Sequence, residues 1–344
     1  MAKITLLHWN IQNFSKDKVN LKKNGQPLID YIANVVILSK ANIVCLVELY
    51  ENAAEDIGQR LIAAINQGNG VAYYDNKWAG IKIDSRHGKP STEAYVVLYK
   101  LGNNFEAVKV VPDKPERLAG LTDQKLDEKG NPCCSLSFNK SQGPRGGRQP
   151  YYVVFETNEK KSFSVLTCHI MFSSQFSRIG VASMGLVAQC QAIQKGGKTV
   201  KLDASLTSGD FNVDFNVSDY ENLLKIPSSQ CTTGKTTLKA DAPPVSYPSP
   251  TDYLANSYDN VFQFKRSGKP AANTGIVMDL IGASTTMGSG GALVDAAGGF
   301  DASEMREKYG KYIEDIPPED YNDSFRLIRG AISDHLPVYV TLEI

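Results

Sequence analysis

Residues 208–215 read SGDFNVDF, a stretch that carries a carboxylate and a carboxamide two positions apart. In an extended segment the side chains of Asp210 and Asn212 would point to the same side, while Phe211 between them would enter a core. Gly209 permits a close approach of a neighbouring backbone or a tight turn. The same residue types are common in ordinary turns, so the stretch by itself predicts either a plain strand-end loop or a polar site beside a buried strand.

The composition indicates a folded protein without a dominant charge. The chain has 344 residues, 42% of them hydrophobic, and its 37 basic residues balance 37 acidic ones. This length can form one large or two ordinary domains with a substantial core. Because a protein that binds polyanions through its overall field is normally basic, any contact with nucleic acid must be local.

The first residues and the cysteines bear on the compartment. The chain begins MAKITLLHWNIQNF, which alternates like a strand and lacks the apolar run and cleavage site of a signal peptide. No apolar run reaches the roughly 18 residues of a membrane span, so none is expected. The six cysteines are too few and too scattered for a disulfide scaffold. We therefore predict free thiols in a cytoplasmic protein.

Strand and helix patterns alternate along the whole chain. Strands are predicted over 3–11, 42–49, 93–100, 151–156, 163–170, 259–264 and 336–344. Apolar residues at helical spacing predict helices around 28–36, around 57–65 and over 177–194, the last with Ser177 as N-cap. No low-complexity linker divides the chain. We therefore predict one α/β domain over 1–344, with loop elaborations near 101–150, 225–257 and 266–325.

The stretch TTGKTT at 232–237 has some features of a phosphate-binding loop. The first glycine of that motif would fall at position 229, which is Ser229, and no strand-to-helix context surrounds it. We therefore assign it no phosphate-binding role.

Polar residues recur where the predicted strands end or begin. They are Asn10, Glu48, Glu93, His169, Asp210, Asn212, Asp259, Asp334 and His335. Each has an ordinary explanation on its own: Asn10 as a turn residue, Glu48 as the partner of a surface lysine, and Asp334 as an N-cap or a turn carboxylate. Strand ends that converge on one sheet edge would instead assemble a charged cleft, where sheet enzymes usually place their chemistry.

These residues lie in motifs that resemble a known superfamily. The motifs are LLHWNIQNF, IVCLVELYEN, STEAYVVLYK, GRQPYYVVFE, LTCHIMF, SGDFNVDF, SYDNVF and ISDHLPVYVTL. In order and residue type they resemble the endonuclease/exonuclease/phosphatase superfamily, and most of all its deoxyribonuclease I branch. The resemblance runs from Asn10 to His335. It implies an α/β (α+β) fold, a four-layered sandwich of two mostly antiparallel β-sheets flanked by helices.

The resemblance implies a divalent-metal centre. Asn10, Glu48 and Asp334 would supply oxygen ligands to Mg²⁺ or Mn²⁺, and Ca²⁺ could serve as a structural ion. No Cys/His spacing suits zinc, because Cys133 and Cys134 are adjacent and no paired histidines lie near them.

The resemblance also assigns roles to the SGDFNVDF stretch and to one arginine. Asp210 would orient and deprotonate an attacking water, and Asn212 would donate its amide to a phosphate oxygen without adding negative charge. Arg148 in GRQPYY would bind the phosphate backbone beside the scissile bond, since its planar fork suits phosphate. Its flanking glycines fit a plain flexible loop as well.

Two histidine–carboxylate pairs are implied in the same way. Asp259 would fix the tautomer of His335 and favour its imidazolium, which would contact the phosphate and take part in proton transfer. His169, paired with Glu93, would protonate the leaving oxygen. The histidines outside these motifs are predicted to be ordinary surface or core residues; they are His8 and His87.

Three functions agree with this reading. The first is a metal-dependent phosphodiesterase that cuts DNA endonucleolytically, with DNA as partner; His169 with Glu93, and Arg148, favour it. The second is a phosphatase or phosphodiesterase acting on a lipid, inositol or nucleotide phosphate, which the zero net charge favours mildly. The third is an inactive relative that serves as a binding scaffold, which the reactive residue kept in every motif disfavours. The oligomeric state is not indicated, so a monomer is the default.

Overall fold

Strands dominate the protein in this computed structural model. The structure describes residues 3–15, 25–67, 78–84, 93–100, 109–110, 134–135, 151–157, 159–170, 181, 192–195, 198–216, 218–224, 228–230, 234–240, 253–266, 275–278, 280 and 328–344. In chain order the elements are β1 (Lys3–Phe14), α1 (Gly25–Ser39), β2 (Ile43–Tyr50), α2 (Glu51–Gln67), β3 (Trp78–Asp84), β4 (Glu93–Lys100), β5 (Lys109–Val110), β6 (Cys134–Ser135), β7 (Tyr151–Glu156), β8 (Ser162–His169), β9 (Ala192–Lys195), β10 (Lys198–Lys201), β11 (Ala204–Asp210), α3 (Glu221–Leu224), β12 (Ser228–Gln230), β13 (Asp259–Lys265), β14 (Gly275–Val277), a π-helical turn (Ile328–Ile332) and β15 (Val338–Glu343).

Two sheets are each built around one parallel pair of strands. The first has the order β14-β15-β1-β2-β4-β3; β1 and β2 are parallel, and the other neighbours are antiparallel. The second has the order β12-β13-β11-β8-β7-β5, with β6 also paired to β7; here β8 and β11 are the parallel pair. Strands β9 and β10 form a separate antiparallel hairpin. Because the carboxyl ends of parallel neighbours meet at one edge, each sheet brings two strand ends together.

Alternation along the strands produces two apolar cores. On β1, Leu7 and Trp9 face the core that α1 and α2 cover, whereas Ile4 and Leu6 face the core between the two sheets. The second core is filled from both sheets, for example by Phe163 of β8. This pattern follows from the opposite orientation of successive side chains on a strand. The two faces of the first sheet are therefore both buried.

The observed elements confirm most of the predicted ones. Every predicted strand coincides with an observed strand, and the two predicted helices near 28–36 and 57–65 lie within α1 and α2. The prediction of a helix over 177–194 is wrong at its end, because Ala192–Lys195 is strand β9. Ile193 pairs with Val200 across this hairpin, and β-branched residues beside Gly196-Gly197 favour a hairpin. Val181 is helical and buried, and most of the remaining segment lies outside the described residues.

The remaining sequence predictions are tested in part. Cys45 and Cys168 are free, buried thiols. No helix in the described part of the chain is long and apolar enough to cross a bilayer. Described residues within the predicted elaborations 225–257 and 266–325 add β12 and β14 to the sheet edges, whereas most of 101–150 lies outside the description. The single domain, the monomer and the cytoplasmic location stay predictions.

Candidate active site

The ends of the two parallel pairs lie beside each other at one end of the sandwich. Asp210 and His169 are the last residues of β11 and β8 and are direct partners in the strand register. The Asn10 amide of β1 donates to Asp210 Oδ2 at 2.9 Å, although the two residues are 200 positions apart. This hydrogen bond joins the first sheet to the second at the polar edge.

Backbone irregularities direct Glu48 to this edge. Leu46 faces the helix-covered core and Val47 the core between the sheets, so strict alternation would turn Glu48 away from the cleft. The β2–β4 register shifts between Leu46 and Leu49, and Glu48 has a left-handed φ of 63°. A bulge of this kind re-aims a side chain. The Glu48 carboxylate consequently lies 3.4 Å from His169 Nε2.

Asp210 is the centre of the polar cluster. Its side chain is buried, and its Oδ1 accepts a hydrogen bond from the backbone N–H of Asn212 at 2.9 Å. Asn212 does not continue the strand; it has a left-handed φ of 50°, and its Nδ2 donates to Ile170 O at 2.7 Å. Phe211 between them is fully buried, as the sequence predicts. The shared polar edge thus comes from a turn after Asp210 rather than from strand alternation.

His169 is held between three carboxylates. Its Nδ1 is 3.1 Å from Glu93 Oε2, the first residue of β4. Its Nε2 lies 3.4 Å from Glu48 Oε1 and 3.6 Å from Asp210 Oδ2. Its backbone N–H donates to the Tyr95 hydroxyl at 3.3 Å. The ring therefore has one nitrogen on Glu93 and the other aimed at the centre of the cluster.

His335 also directs a ring nitrogen toward Asp210 Oδ2, and Asp259 holds its other ring nitrogen. Its Nδ1 is 2.6 Å from Asp259 Oδ2, and its Nε2 lies 3.7 Å from both Asp210 Oδ2 and Asp334 Oδ1. Its backbone N–H donates to Ser333 Oγ at 3.0 Å, and that hydroxyl donates to Asn10 O at 2.5 Å. Two imidazoles, each with a carboxylate on Nδ1, thus direct Nε2 toward one oxygen of Asp210.

Thr236 completes the surroundings of Asp259. Its hydroxyl donates to Asp259 Oδ2 at 2.7 Å and accepts the Asp259 backbone N–H at 3.0 Å. Backbone hydrogen bonds tie 236–238 to Asn256 on one side and to Asp334 and Leu336 on the other. Thr236 therefore connects Asp259 to the segment that carries His335.

The charges of the cluster shift three pKa values. Burial alone would lower the pKa of His335, but the charges of Asp259 and Asp210, with the hydrogen bond to Asp259, raise it from 6.5 to about 10. Burial opposes ionisation of Asp259 too, yet His335 holds the pKa of that carboxyl well below its usual range. Burial raises the pKa of Glu48, His169 partly offsets this, and repulsion from Glu93 and Asp210 adds to it.

Every predicted site residue that the structure describes belongs to one connected cluster, in which His169 joins Glu48 and Glu93 to Asp210. Short contacts link Asn10, Glu48, Glu93, His169, Asp210, Asn212, Asp259, Asp334 and His335. Arg148 lies outside the described residues. The strand ends therefore converge, while the roles that the resemblance implies stay predictions.

Solved structures with the same architecture match this chain over its length. An endonuclease/exonuclease/phosphatase protein from Bacteroides vulgatus is 16% identical, with a TM-score of 0.53 and 100% of both chains covered. The mannosyl-6-phosphatase of Bacteroides thetaiotaomicron is 14% identical, with a TM-score of 0.53 and coverage of 99% of this chain and 100% of that one. TDP2 from D. rerio, complexed with a single-strand DNA product, is 10% identical, with a TM-score of 0.51 and 100% of both chains covered.

The chain has the endonuclease/exonuclease/phosphatase fold. No family profile matches its sequence, and no curated protein matches it. At the level of the fold, the resemblance inferred from the ordered motifs is confirmed. The predicted sandwich of two mostly antiparallel sheets is confirmed as well.

The donors at this end of the endonuclease/exonuclease/phosphatase fold suit a hard divalent cation. Glu48 lies close enough to Glu93 and His169 for their ligand atoms to fall within 4.8 Å of one another, and Asp210, Asp259 and His335 form a second such trio. Asp334 Oδ1 is buried and accepts no hydrogen bond from the described residues. Carboxylate oxygens that repel one another are what Mg²⁺ or Mn²⁺ would neutralise. The predicted ligands Asn10, Glu48 and Asp334 remain a proposal.

Several residues of the site were not singled out from the sequence. Ser333 stands directly before Asp334 in ISDH, so its place beside the site could have been suspected. Thr236 and Tyr95 carry no local signal, because their contacts are with Asp259 and His169 far along the chain. His8, predicted to be an ordinary histidine, lies 3.3 Å from Asp259 Oδ1. Only chain packing brings these groups together.

Proposed function

We propose that this protein is a divalent-metal-dependent phosphoric ester hydrolase, and more specifically a phosphodiesterase that cleaves DNA endonucleolytically. The observation that carries the proposal is the pair of imidazoles aimed at one carboxylate oxygen. His169 Nε2 and His335 Nε2 lie 3.6 Å and 3.7 Å from Asp210 Oδ2. A phosphate bound there would meet a base and two proton donors together.

The proposed reaction begins with a water held by Asp210. Asp210 accepts the proton as the water oxygen attacks phosphorus, and the Asn10 amide at 2.9 Å holds the carboxylate in place. His335, charged because its pKa is about 10, stabilises the added negative charge on the phosphoryl oxygens. Asn212, whose Nδ2 already donates one hydrogen to Ile170 O, has a second N–H for a phosphate oxygen.

His169 would complete the reaction. As the bond between phosphorus and the leaving oxygen breaks, Nε2 donates its proton to that oxygen, while Glu93 keeps the proton on Nδ1 at 3.1 Å. Glu48 and Asp334, with the side-chain Oδ1 of Asn10, would hold Mg²⁺ or Mn²⁺, which when bound offsets negative charge on the phosphate. A leaving alkoxide needs a proton, whereas simple phosphate binding does not. A proton donor at His169 therefore supports ester cleavage over simple phosphate binding.

The choice of DNA rests on the deoxyribonuclease-like motifs and on one relative. TDP2 from D. rerio has the same fold and was solved with a single-strand DNA product. The second candidate is a phosphatase or phosphodiesterase acting on a lipid, inositol or nucleotide phosphate. The balanced charge and the mannosyl-6-phosphatase with a TM-score of 0.53 favour it.

A paired substrate assay tests the proposal. Purified protein is incubated with supercoiled plasmid and with a short-chain phosphoinositide, in Mg²⁺, Mn²⁺, Ca²⁺ or chelator. We expect plasmid nicking that needs Mg²⁺ or Mn²⁺, is abolished by chelator and disappears in His335→Ala. Lys160→Ala is the matched control, because Lys160 is exposed and contacts Glu156, the last residue of β7. Glu156 pairs with the first residue of β8, at the end of that strand opposite to His169.

The other outcomes decide between the remaining candidates. Phosphate release from the phosphoinositide with intact plasmid would replace the nuclease by the phosphatase. The absence of activity on both substrates under every metal condition would contradict hydrolysis of either one and would favour the binding scaffold.

A further inference from the structure

A fully buried histidine lies directly behind the His335–Asp259 pair. His8 is 0% exposed, and so is Asp259. His8 Nε2 lies 3.3 Å from Asp259 Oδ1. On β1, His8 stands between Leu6, which faces the core between the sheets, and Asn10, which faces the site. A polar ring in this position is unfavourable unless it engages another polar group.

The two oxygens of Asp259 are held by different groups. Oδ2 binds His335 Nδ1 at 2.6 Å and the Thr236 hydroxyl at 2.7 Å. Oδ1 accepts no hydrogen bond of good geometry from the described residues, and His8 Nε2 is the nitrogen that faces it. A buried carboxylate oxygen is stabilised by a facing N–H dipole, so His8 supplies what Oδ1 otherwise lacks.

The surroundings of His8 favour one tautomer. Both ring nitrogens are buried and make no hydrogen bond of good geometry within the described part of the chain, and Nε2 is the one that lies 3.3 Å from Asp259 Oδ1. The tautomer with its proton on Nε2 presents a donor to Asp259 Oδ1, whereas the tautomer with its proton on Nδ1 would turn an Nε2 lone pair toward that carboxylate oxygen. The partners of His8 in the sheet register are Cys45 and Val338. Both side chains belong to the apolar core between the sheets and offer no competing carboxylate.

We propose that His8 is a positioning residue: it holds Asp259 Oδ1, so that Oδ2 stays on Nδ1 of His335 and Nε2 stays aimed at Asp210. Without His8, the Asp259 carboxylate can rotate, and the 2.6 Å contact to His335 is weakened. His8, Asp259 and His335 then form one line of contacts from the core to the cleft. The expected effect on kcat rests on the proposed function, whereas the expected effect on the contact between Asp259 and His335 does not.

Three substitutions at and beside His8 separate positioning from packing. His8→Leu keeps a similar volume without a donor, and His8→Gln keeps a donor near the position of Nε2. Val338→Ala is the matched control, because it removes apolar core volume beside His8 and leaves both residues of the His8–Asp259 pair in place. The readouts are kcat and KM for bis(p-nitrophenyl) phosphate with Mg²⁺, the thermal midpoint, and the downfield Nδ1–H proton resonance of His335, assigned by its loss in His335→Gln.

We expect His8→Leu to lower kcat roughly ten- to a hundredfold with little change in KM, the usual effect of losing an outer contact that orients a working group. The same variant should shift or broaden the His335 resonance, and His8→Gln should restore most of both. Val338→Ala should lower the thermal midpoint while keeping kcat and the resonance. If Leu prevents folding, His8→Asn, whose amide stops short of Asp259, replaces it with the same expected losses.

The resonance separates this inference from the proposed function. If the wild-type protein hydrolyses no phosphodiester, the proposed function is wrong. A His335 resonance that is altered in His8→Leu and kept in Val338→Ala would still support the positioning role of His8. An unchanged resonance together with wild-type kcat in His8→Leu would overturn the inference. So would equal losses in Val338→Ala, because packing alone would then explain them.

Discussion

Gly209→Ala tests how closely the site depends on the approach of β8 to β11. Gly209 pairs with Cys168 in the register, one step before the Asp210–His169 pair. A Cβ at position 209 would lie 2.3 Å from Cys168 Sγ and 2.6 Å from Cys168 O. Because ordinary contact begins at 3.4 Å, the carbonyl oxygen would have to move by about 0.8 Å.

This displacement should weaken the fold and the site together. Overpacking of a well-packed core lowers the free energy of unfolding by roughly 1–3 kcal/mol. The next pair in the register is Asp210 and His169, so the same movement separates groups that lie 3.6 Å apart. A misplacement approaching 1 Å lowers kcat by up to about a hundredfold. Urea unfolding followed by tryptophan fluorescence and hydrolysis of bis(p-nitrophenyl) phosphate measure the two effects.

Two further variants make the test specific. Gly58→Ala is the matched control, because its Cβ would meet Val96 at 3.4 Å and an alanine within α2 should stabilise by up to about 1 kcal/mol. Cys168→Ala in the Gly209→Ala background removes the sulfur but leaves the carbonyl oxygen, so only partial recovery is expected. Wild-type stability and kcat in Gly209→Ala, or complete recovery in the double variant, would refute the reasoning.

Three more predictions follow from the contacts of the site. The pKa of His335 is raised from 6.5 to about 10, so in metal-free protein its contribution to stability is complete below pH 6.5 and is lost as the pH rises toward 10. In urea titrations from pH 6 to 10, Asp259→Asn should flatten this dependence of the free energy of unfolding on pH. A variant curve that runs parallel to the wild-type curve would contradict the prediction. Ser333→Ala removes the hydroxyl that joins Asn10 O to the His335 N–H, so the free energy of unfolding should fall by about 1–3 kcal/mol; an unchanged urea midpoint would show that these hydrogen bonds contribute little. Mg²⁺ at about 100 times its dissociation constant should stabilise the protein by about 2.7 kcal/mol, which is measured as a higher thermal midpoint. Glu48→Gln should lose most of that shift, and an equal shift in the variant would show that Glu48 is not a ligand of the metal.

Much of the architecture could be predicted from local patterns. A strand such as Glu93–Lys100 is encoded by neighbouring residues, because β-branched and apolar side chains in a short run specify an extended, buried segment. The predicted helix over 177–194 shows the limit of such local patterns, because its apolar residues fit both helical and strand periodicity. Strand β9 occupies its last positions. The pairing of Ala192–Lys195 with Lys198–Lys201 decides between them.

The candidate site divides in the same way. The sequence by itself determined the inventory of reactive groups and their position at strand ends, because those properties depend on residue type and on local periodicity. Tertiary structure alone decided which groups meet: Asn10 reaches Asp210 across 200 positions, the bulge turns Glu48 into the cleft, and His8 lies against Asp259. Such contacts depend on strand order and register, which arise from pairing over long distances in the chain and leave no signal in the neighbouring residues.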